Sequence, residues 1–205
     1  MKSITSNQRP AMDALLAALL LLTACAGNVT TTAPPGERQP TAESSLRGTV
    51  EKLSANQATG RVRTIQGVGY VMAPVAVPLA DGEVSLIPST PDLEAALARL
   101  QRRWLNGRKQ PLPYEAFQAA FSRLTAHRVE VGRAGGEAFI RFATTDKRGR
   151  FRFEQVPEGR WLLVADMSSP VSTVLWAVPV EVGTEDPPPL FLADATLLLE
   201  ARKPR

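Results

Sequence analysis

Residue types able to do covalent or metal chemistry are scarce in this chain, and that scarcity sets the first limits. There is one cysteine, Cys25, and one histidine, His127. A serine triad would need His127 and a nucleophile on a sharp turn, and no Gly-x-Ser-x-Gly elbow exists to supply it. A zinc site of the usual kind lacks ligands. His127 falls near the expected end of a helix, where a cation suits the dipole and a surface position is the default. The carboxylates Asp81, Asp146, Asp166, Glu181 and Asp194 are scattered, so no glycosidase pair can be named and loop or surface roles are expected. Asp146 beside a turn could give calcium one ligand, which is not a site. The expectation is therefore no catalytic residue, no metal and no cofactor, with an enzyme of unfamiliar site as an alternative.

Cys25 has a different chemistry open to it. With no second cysteine, it can form neither an intramolecular disulfide nor a thiolate metal cluster. It follows Lys2 and Arg9, then the apolar run Ala14 to Leu22, an order that fits the n-region and h-region of a secretory signal. The run is too short for a membrane span, which needs about 20 residues. Leu22-Thr23-Ala24-Cys25 is similar to a bacterial lipobox. That resemblance implies that the thiol receives a diacylglyceryl group and that cleavage leaves Cys25 first in the mature chain. Thr23 and Ala24 are small enough for a narrow peptidase cleft. A plain signal ending at Ala24, with Cys25 incidental, is the alternative, and Asp13 beside the h-region is an untidy feature. Ala26 lacks the acid that resembles an inner-membrane retention signal, so an outer-membrane position is expected in a host with two membranes.

A second chemistry-bearing group is basic. Arg99, Arg102 and Arg103 in a first helical pattern, with Arg108 and Lys109 in the loop after it, make a basic cluster. The first opens at Thr90-Pro91-Asp92, with a hydroxyl cap, proline at the first helical position and an acid behind it. Its Leu93, Leu97, Leu100 and Trp104 share a face, and Asn106-Gly107 closes it. The second fits Pro113 to about His127, with Tyr114, Phe117, Phe121 and Leu124 on one face. The two should pack as an antiparallel hairpin, aromatic faces inward or against a sheet. A DNA-reading helix-turn-helix is disfavoured by the long loop from Asn106 to Leu112 and by the export signal. Two readings stay open: a surface for anionic lipid or polysaccharide, or a solvated helix face that happens to be basic.

The rest of the chain supplies the scaffold. Its 205 residues allow one ordinary domain plus a terminal extension. A hydrophobic content of 44% supports a core, and 17 prolines indicate a loop-rich, β-leaning fold. Loss of Lys2, Arg9 and Asp13 with a signal peptide would lower the net charge from +4 to +3, too mild to argue for nucleic acid. The expected organisation is a signal peptide at 1–24, a lipidated cysteine and disordered tether at 25–57, a β-sandwich at 58–200 with a helical insert at 90–128, and a frayed basic tail at 201–205. The tether is rich in Thr, Ser, Pro and Gly. Residues 26–46 fully extended would reach on the order of 70 Å. Leu46 to Leu53 could form a short helix or first strand within it, and its Thr-rich part could carry glycans, although a spacer is the simpler role.

The strands alternate in period two. Val62, Thr64, Val68 and Tyr70 share a parity, with Gly67 and Gly69 marking a bulge or a close backbone approach. Val84 and Leu86 face one way before Pro88 ends their strand. Val129 and Val131 alternate, Gly132 to Gly136 reads as a hairpin turn, and Ala138, Ile140 and Phe142 form a strand face. Thr144 to Ala165 is the clearest run. Asp146 and Gly149 make a tight turn, Phe151 and Phe153 point inward, Val156 to Gly159 turns again, and Trp161, Leu163 and Ala165 share a face. Val171 to Val182 is a long apolar strand in which Pro179 requires an edge or a bulge. Three prolines from Pro187 make a stiff bend, and Phe191 to Leu199 closes the fold.

Asp146, Gly149, Phe151, Phe153, Val156, Pro157, Gly159, Trp161 and Leu163 resemble the TD-x-x-G-x-F-x-F-x-x-V-P-x-G-x-Y-x-L pattern of carboxypeptidase regulatory-like domains. Pro78 to Pro88 is similar to that family's P-x-x-G-A-x-V-x-L strand. The resemblance covers about 61–88 and 137–200 and implies a mainly β, transthyretin-like (prealbumin-like) sandwich. Trp161 replaces a more frequent tyrosine, and the helical insert replaces a short connection. In the family the module is generally a non-catalytic accessory, spacer or interaction domain, and no functional residue carries over. The functional expectation is a bacterial cell-envelope lipoprotein, anchored through Cys25, whose sandwich is an interaction or structural module for an unknown envelope protein or glycan.

Overall fold

The computed structural model describes residues 42–72, 75–107 and 110–204. Cys25, the signal-like segment and the first part of the expected tether lie outside these residues.

The apolar alternation builds two sheets. The smaller contains β1 (Val62–Met72), β2 (Ala76–Pro78), β6 (Arg150–Pro157) and β9 (Leu190–Leu192). Its order is β2-β1-β6, and β9 runs parallel to β1. The larger has the order β4-β10-β8-β7-β3-β5. Its members are β3 (Glu83–Pro88), β4 (Leu112–Pro113), β5 (Arg141–Thr144), β7 (Gly159–Ser168), β8 (Ser172–Val182) and β10 (Leu197–Arg202). The expected sandwich is present.

Register sorts the large sheet's side chains into two buried faces. Val84, Leu86, Trp161, Leu163, Ala165 and Trp176 line one of them. Trp176 donates its indole N–H to the Ala193 carbonyl, just past β9 of the other sheet, at 3.1 Å. Ile87, Leu162, Leu175 and Leu199 on the opposite face are also fully buried. Helices α2 (Pro91–Asn106) and α3 (Tyr114–Arg133) pack on that sheet, chiefly against β10. A sheet covered on both sides needs continuous apolar strands, which is how β7 and β8 read. The inserted helices therefore lie against the sheet more than against each other. Pro179 pairs only with β7, beyond the reach of β10, so its missing N–H leaves no gap in a two-sided ladder.

Several expectations are corrected. The tether does not extend to Gln57, because Ala42–Ala58 forms a helix, α1, whose Leu46, Val50 and Leu53 are buried. Helix α3 continues to Arg133, so Val129 and Val131 are helical and the following glycines end a helix instead of turning a hairpin. Its buried stripe is Phe117, Ala120, Leu124, His127 and Val131, whereas Phe121 is exposed. A 3-10 turn at Glu137–Phe139 then buries Phe139 against Trp161 and leaves Phe142 exposed under the Arg128 guanidinium. In β1 the register shifts between Arg63 and Ile65, and the fully buried side chain is Ile65, off the parity of Val62, Thr64, Val68 and Tyr70. The closing segment is two strands in different sheets, β9 and β10, joined by a 3-10 turn at Asp194–Thr196. The basic tail starts late: Ala201 and Arg202 belong to the ladder, and the Lys203 amide donates to Val171.

Candidate functional site

A concavity of about 790 Å³ lies on the outer face of the small sheet. Alternation in Arg150-Phe151-Arg152-Phe153 sends both phenylalanines into the core and both arginines outward. Across the sheet, Arg150 pairs with Val68, and Val68 pairs with Phe191 of β9. Arg152 pairs with Gln66. One row thus carries an arginine, a valine and a phenylalanine that is 54% exposed. The next carries an arginine and an amide. Pro189 extends the Phe191 side, while Ala143, Thr144, Thr145 and Asp146 form the opposite rim.

Glycine makes this floor possible. A Cβ at Gly67 would collide with the Leu190 carbonyl oxygen and the Phe151 ring, so only glycine lets β9 lie this close to β1. The rim is fixed by the Asp146–Gly149 turn. Asp146 Oδ1 accepts from the amides of Arg148 at 2.8 Å and Arg150 at 2.9 Å, and Gly149 adopts a φ of 76°. The Arg150 amide above all, with the Arg148 amide and both guanidinium charges, holds the Asp146 carboxyl below the usual carboxylate range. The Thr145 hydroxyl donates to Leu79 and accepts from the Gly82 amide, fastening the rim to the loop before β3.

Charge at the groove is partly compensated. Arg152 pairs with Glu154 at 3.0 Å, both well exposed. Arg150 forms no ion pair among the described residues. Lys147 and Arg148 are exposed in the adjoining turn. A second cavity of about 340 Å³ lies between α1 and the start of β7, lined by Lys52, Asn56, Arg61, Ser89, Glu158 and Arg160 among others. Two of its charged residues are paired, Glu158 with Arg63 and Arg160 with Glu94, each at 3.2 Å.

The sequence-derived candidates are placed as follows. Arg99, Arg102 and Arg103 share an exposed face of α2, while Arg108 and Lys109 lie outside the described residues. His127 is buried, contrary to expectation, and its Nε2–H donates to the Pro88 carbonyl at 2.8 Å. Asp81 and Asp146 sit in turns, Glu181 lines the second cavity and Asp194 opens a 3-10 turn. The β3–β7 register sets Asp166 opposite Glu83. Partial burial, and secondarily the Glu83 charge, pushes the Asp166 carboxyl up. Among the described residues no group of three or more His, Cys, Asp or Glu is placed to hold a metal ion, and no helix is long and apolar enough to cross a membrane.

The groove residues Gln66, Arg150, Arg152 and Phe191 were not singled out from sequence. A signal existed for the arginines, since alternation with two inward phenylalanines requires them to face outward. None existed for Phe191, because the parallel pairing of β9 with β1 joins segments far apart in the chain.

No protein-family model matches this chain, and no curated protein matches it. Among solved structures it is similar to a candidate carbohydrate-binding protein from Pseudomonas aeruginosa, at 18% identity over 70% of this chain and 94% of that one, with a TM-score of 0.38. It is also similar to the RrgB pilus backbone of Streptococcus pneumoniae, at 12% identity over 59% of this chain and 35% of that one, TM-score 0.26. The full-length RrgB structure gives 13% identity over 58% of this chain and 25% of that one, TM-score 0.28. At such scores these neighbours carry no functional inference for this chain.

Proposed function

We propose that this protein is a non-catalytic interaction module of the bacterial cell envelope, held at a membrane through lipidated Cys25, with the groove on β1, β6 and β9 as its ligand-contacting face. The groove is the observation that carries the reading. It sets an exposed aromatic ring, two arginines and an amide on a rigid sheet face, a mixture of apolar body and convergent polar groups that suits binding. The lipobox-like Leu22-Thr23-Ala24-Cys25 supports the anchor, and Ala26 supports an outer-membrane position in a host with two membranes. The resemblance of the β6–β7 turns to carboxypeptidase regulatory-like domains supports an accessory role over a catalytic one. A second reading, contact with anionic lipid or polysaccharide through α2, is favoured by the common exposed face of Arg99, Arg102 and Arg103.

Metabolic labelling with an alkyne fatty acid tests the anchor. The wild-type protein should take the label and fractionate with membranes, and Cys25→Ser should do neither. An unlabelled wild type overturns it. Affinity capture with the full-length Cys25→Ser protein tests the face: Phe191→Ala should lose the envelope material that the unaltered groove retains, and undiminished capture overturns the groove.

A further inference from the structure

We infer that the occupant of the groove is an anionic polysaccharide, a chain of pyranose rings bearing carboxylates or phosphates. The inference rests on the groove being the ligand-contacting face and names the chemistry that fits it. Phe191 is more than half exposed, yet its strand is held in register with β1. A pyranose ring offers one apolar face of C–H bonds, with its hydroxyls directed outward around the ring. Such a ring stacked on Phe191 covers the aromatic surface while its hydroxyls reach Gln66 and Thr144, whose amide and hydroxyl can both donate and accept.

Charge selects an acidic sugar. Arg150 and Arg152 line this face, with Lys147 and Arg148 exposed in the adjoining turn, against Asp146 and Glu154. One Asp146 oxygen is already engaged by two turn amides. The Arg152–Glu154 pair is exposed, and such pairs contribute little, so a ligand anion can displace it. Arg150 and Arg152 lie two residues apart on one face of β6, about 7 Å along the strand. That spacing lets the two guanidinium forks take anions from neighbouring sugars, each with bidentate geometry.

An acidic protein segment is the competing occupant, and its usual route into a sandwich is strand addition at a free edge. The free edge of β6 is obstructed, since the Arg141 guanidinium crosses from β5 to the Glu154 carbonyl. A bilayer is flat, whereas this site is concave.

The test uses the full-length Cys25→Ser protein with four probes: polygalacturonate, neutral dextran, poly-glutamate, and vesicles containing phosphatidylglycerol. Polygalacturonate should bind and the other three should bind far more weakly. Arg150→Gln, Arg152→Gln and Phe191→Ala should each weaken polygalacturonate binding by about ten-fold or more, and rising salt should weaken it further. All three positions are exposed, so unchanged thermal unfolding confirms that the variants fold. Failure of polygalacturonate to bind overturns the inference. Preferential binding of poly-glutamate or vesicles, lost on Arg150→Gln, also overturns it while leaving the groove as the contacting face. Polygalacturonate binding that survives all three groove substitutions but is lost on Arg99→Gln with Arg102→Gln overturns the groove reading itself.

Discussion

Asp146 shows how one side chain ties local geometry to the groove. Its carboxylate accepts two amides of its own turn, and the Gly149 amide returns to its backbone carbonyl at 2.8 Å. The folded protein therefore holds this carboxyl at a lower pKa than the unfolded chain does. The sign follows: the contribution is complete above the ordinary carboxylate value of about 4 and is lost as pH falls through the lower folded value. Urea unfolding across the acid range should show this slope in the wild type and lose it in Asp146→Asn, whose amide oxygen can still accept. Asp146→Ala should be less stable than both at neutral pH. The Asp-x-x-Gly spacing made this turn legible. His127 was legible in principle as well, since Phe117, Ala120, Leu124, His127 and Val131 follow spacings of three, four, three and four. The exposed Phe121 drew the expected face roughly 60° around the helix at about 100° per residue, because aromatic residues outweigh alanine in a hydrophobic pattern. Once α3 extends to Arg133, His127 is no longer terminal and the dipole argument for a surface position lapses.

Among the elements, α1 departs furthest from the sequence reading. Leu46, Val50 and Leu53 give its polar sequence one narrow apolar face, enough to suggest a short helix within the tether but not a helix from Ala42 to Ala58 docked on the core. What holds it is tertiary. Leu53 fills the space left by Gly159, where a Cβ would collide with it, and Val50 does the same at Gly136. The Asn56 amide donates to the Glu158 carbonyl at 2.7 Å. Leu53→Ala should therefore cost about 2–5 kcal/mol in urea unfolding; a negligible cost would restore the tether. The outer strands tell a related story. β5 and β6 end their respective sheets and are consecutive in the chain, which leaves two free edges side by side. Arg141 obstructs one of them, and a cation at an edge is a common guard against unwanted pairing. This was unreadable from sequence, because nothing local says which strand ends a sheet.

At the scale of the molecule, one continuous buried cluster joins the two sheets and the helices α1, α2 and α3 among the described residues. A shared core predicts one cooperative transition. In a Trp104→Phe protein, far-ultraviolet circular dichroism follows α1–α3 while Trp161 and Trp176 report on the sandwich, and the two unfolding curves should coincide. Phenylalanine at 104 keeps an aromatic ring in the core and removes an indole N–H that has no partner among the described residues, at the cost of a small void. Separate curves would mean that the helices are appended to the sandwich and not part of its core. By itself the sequence determined the two-sheet class, the β6–β7 turns, the caps and inner faces of α2, and the lipobox-like context of Cys25, because each depends on residues within a few positions of one another. Tertiary structure decided the helical state of α1, the burial of His127, the splitting of the closing segment between sheets and the groove itself. Each of those depends on a contact between distant segments, β9 beside β1 or Leu53 beside Gly159, and short-range periodicity carries no information about such pairings.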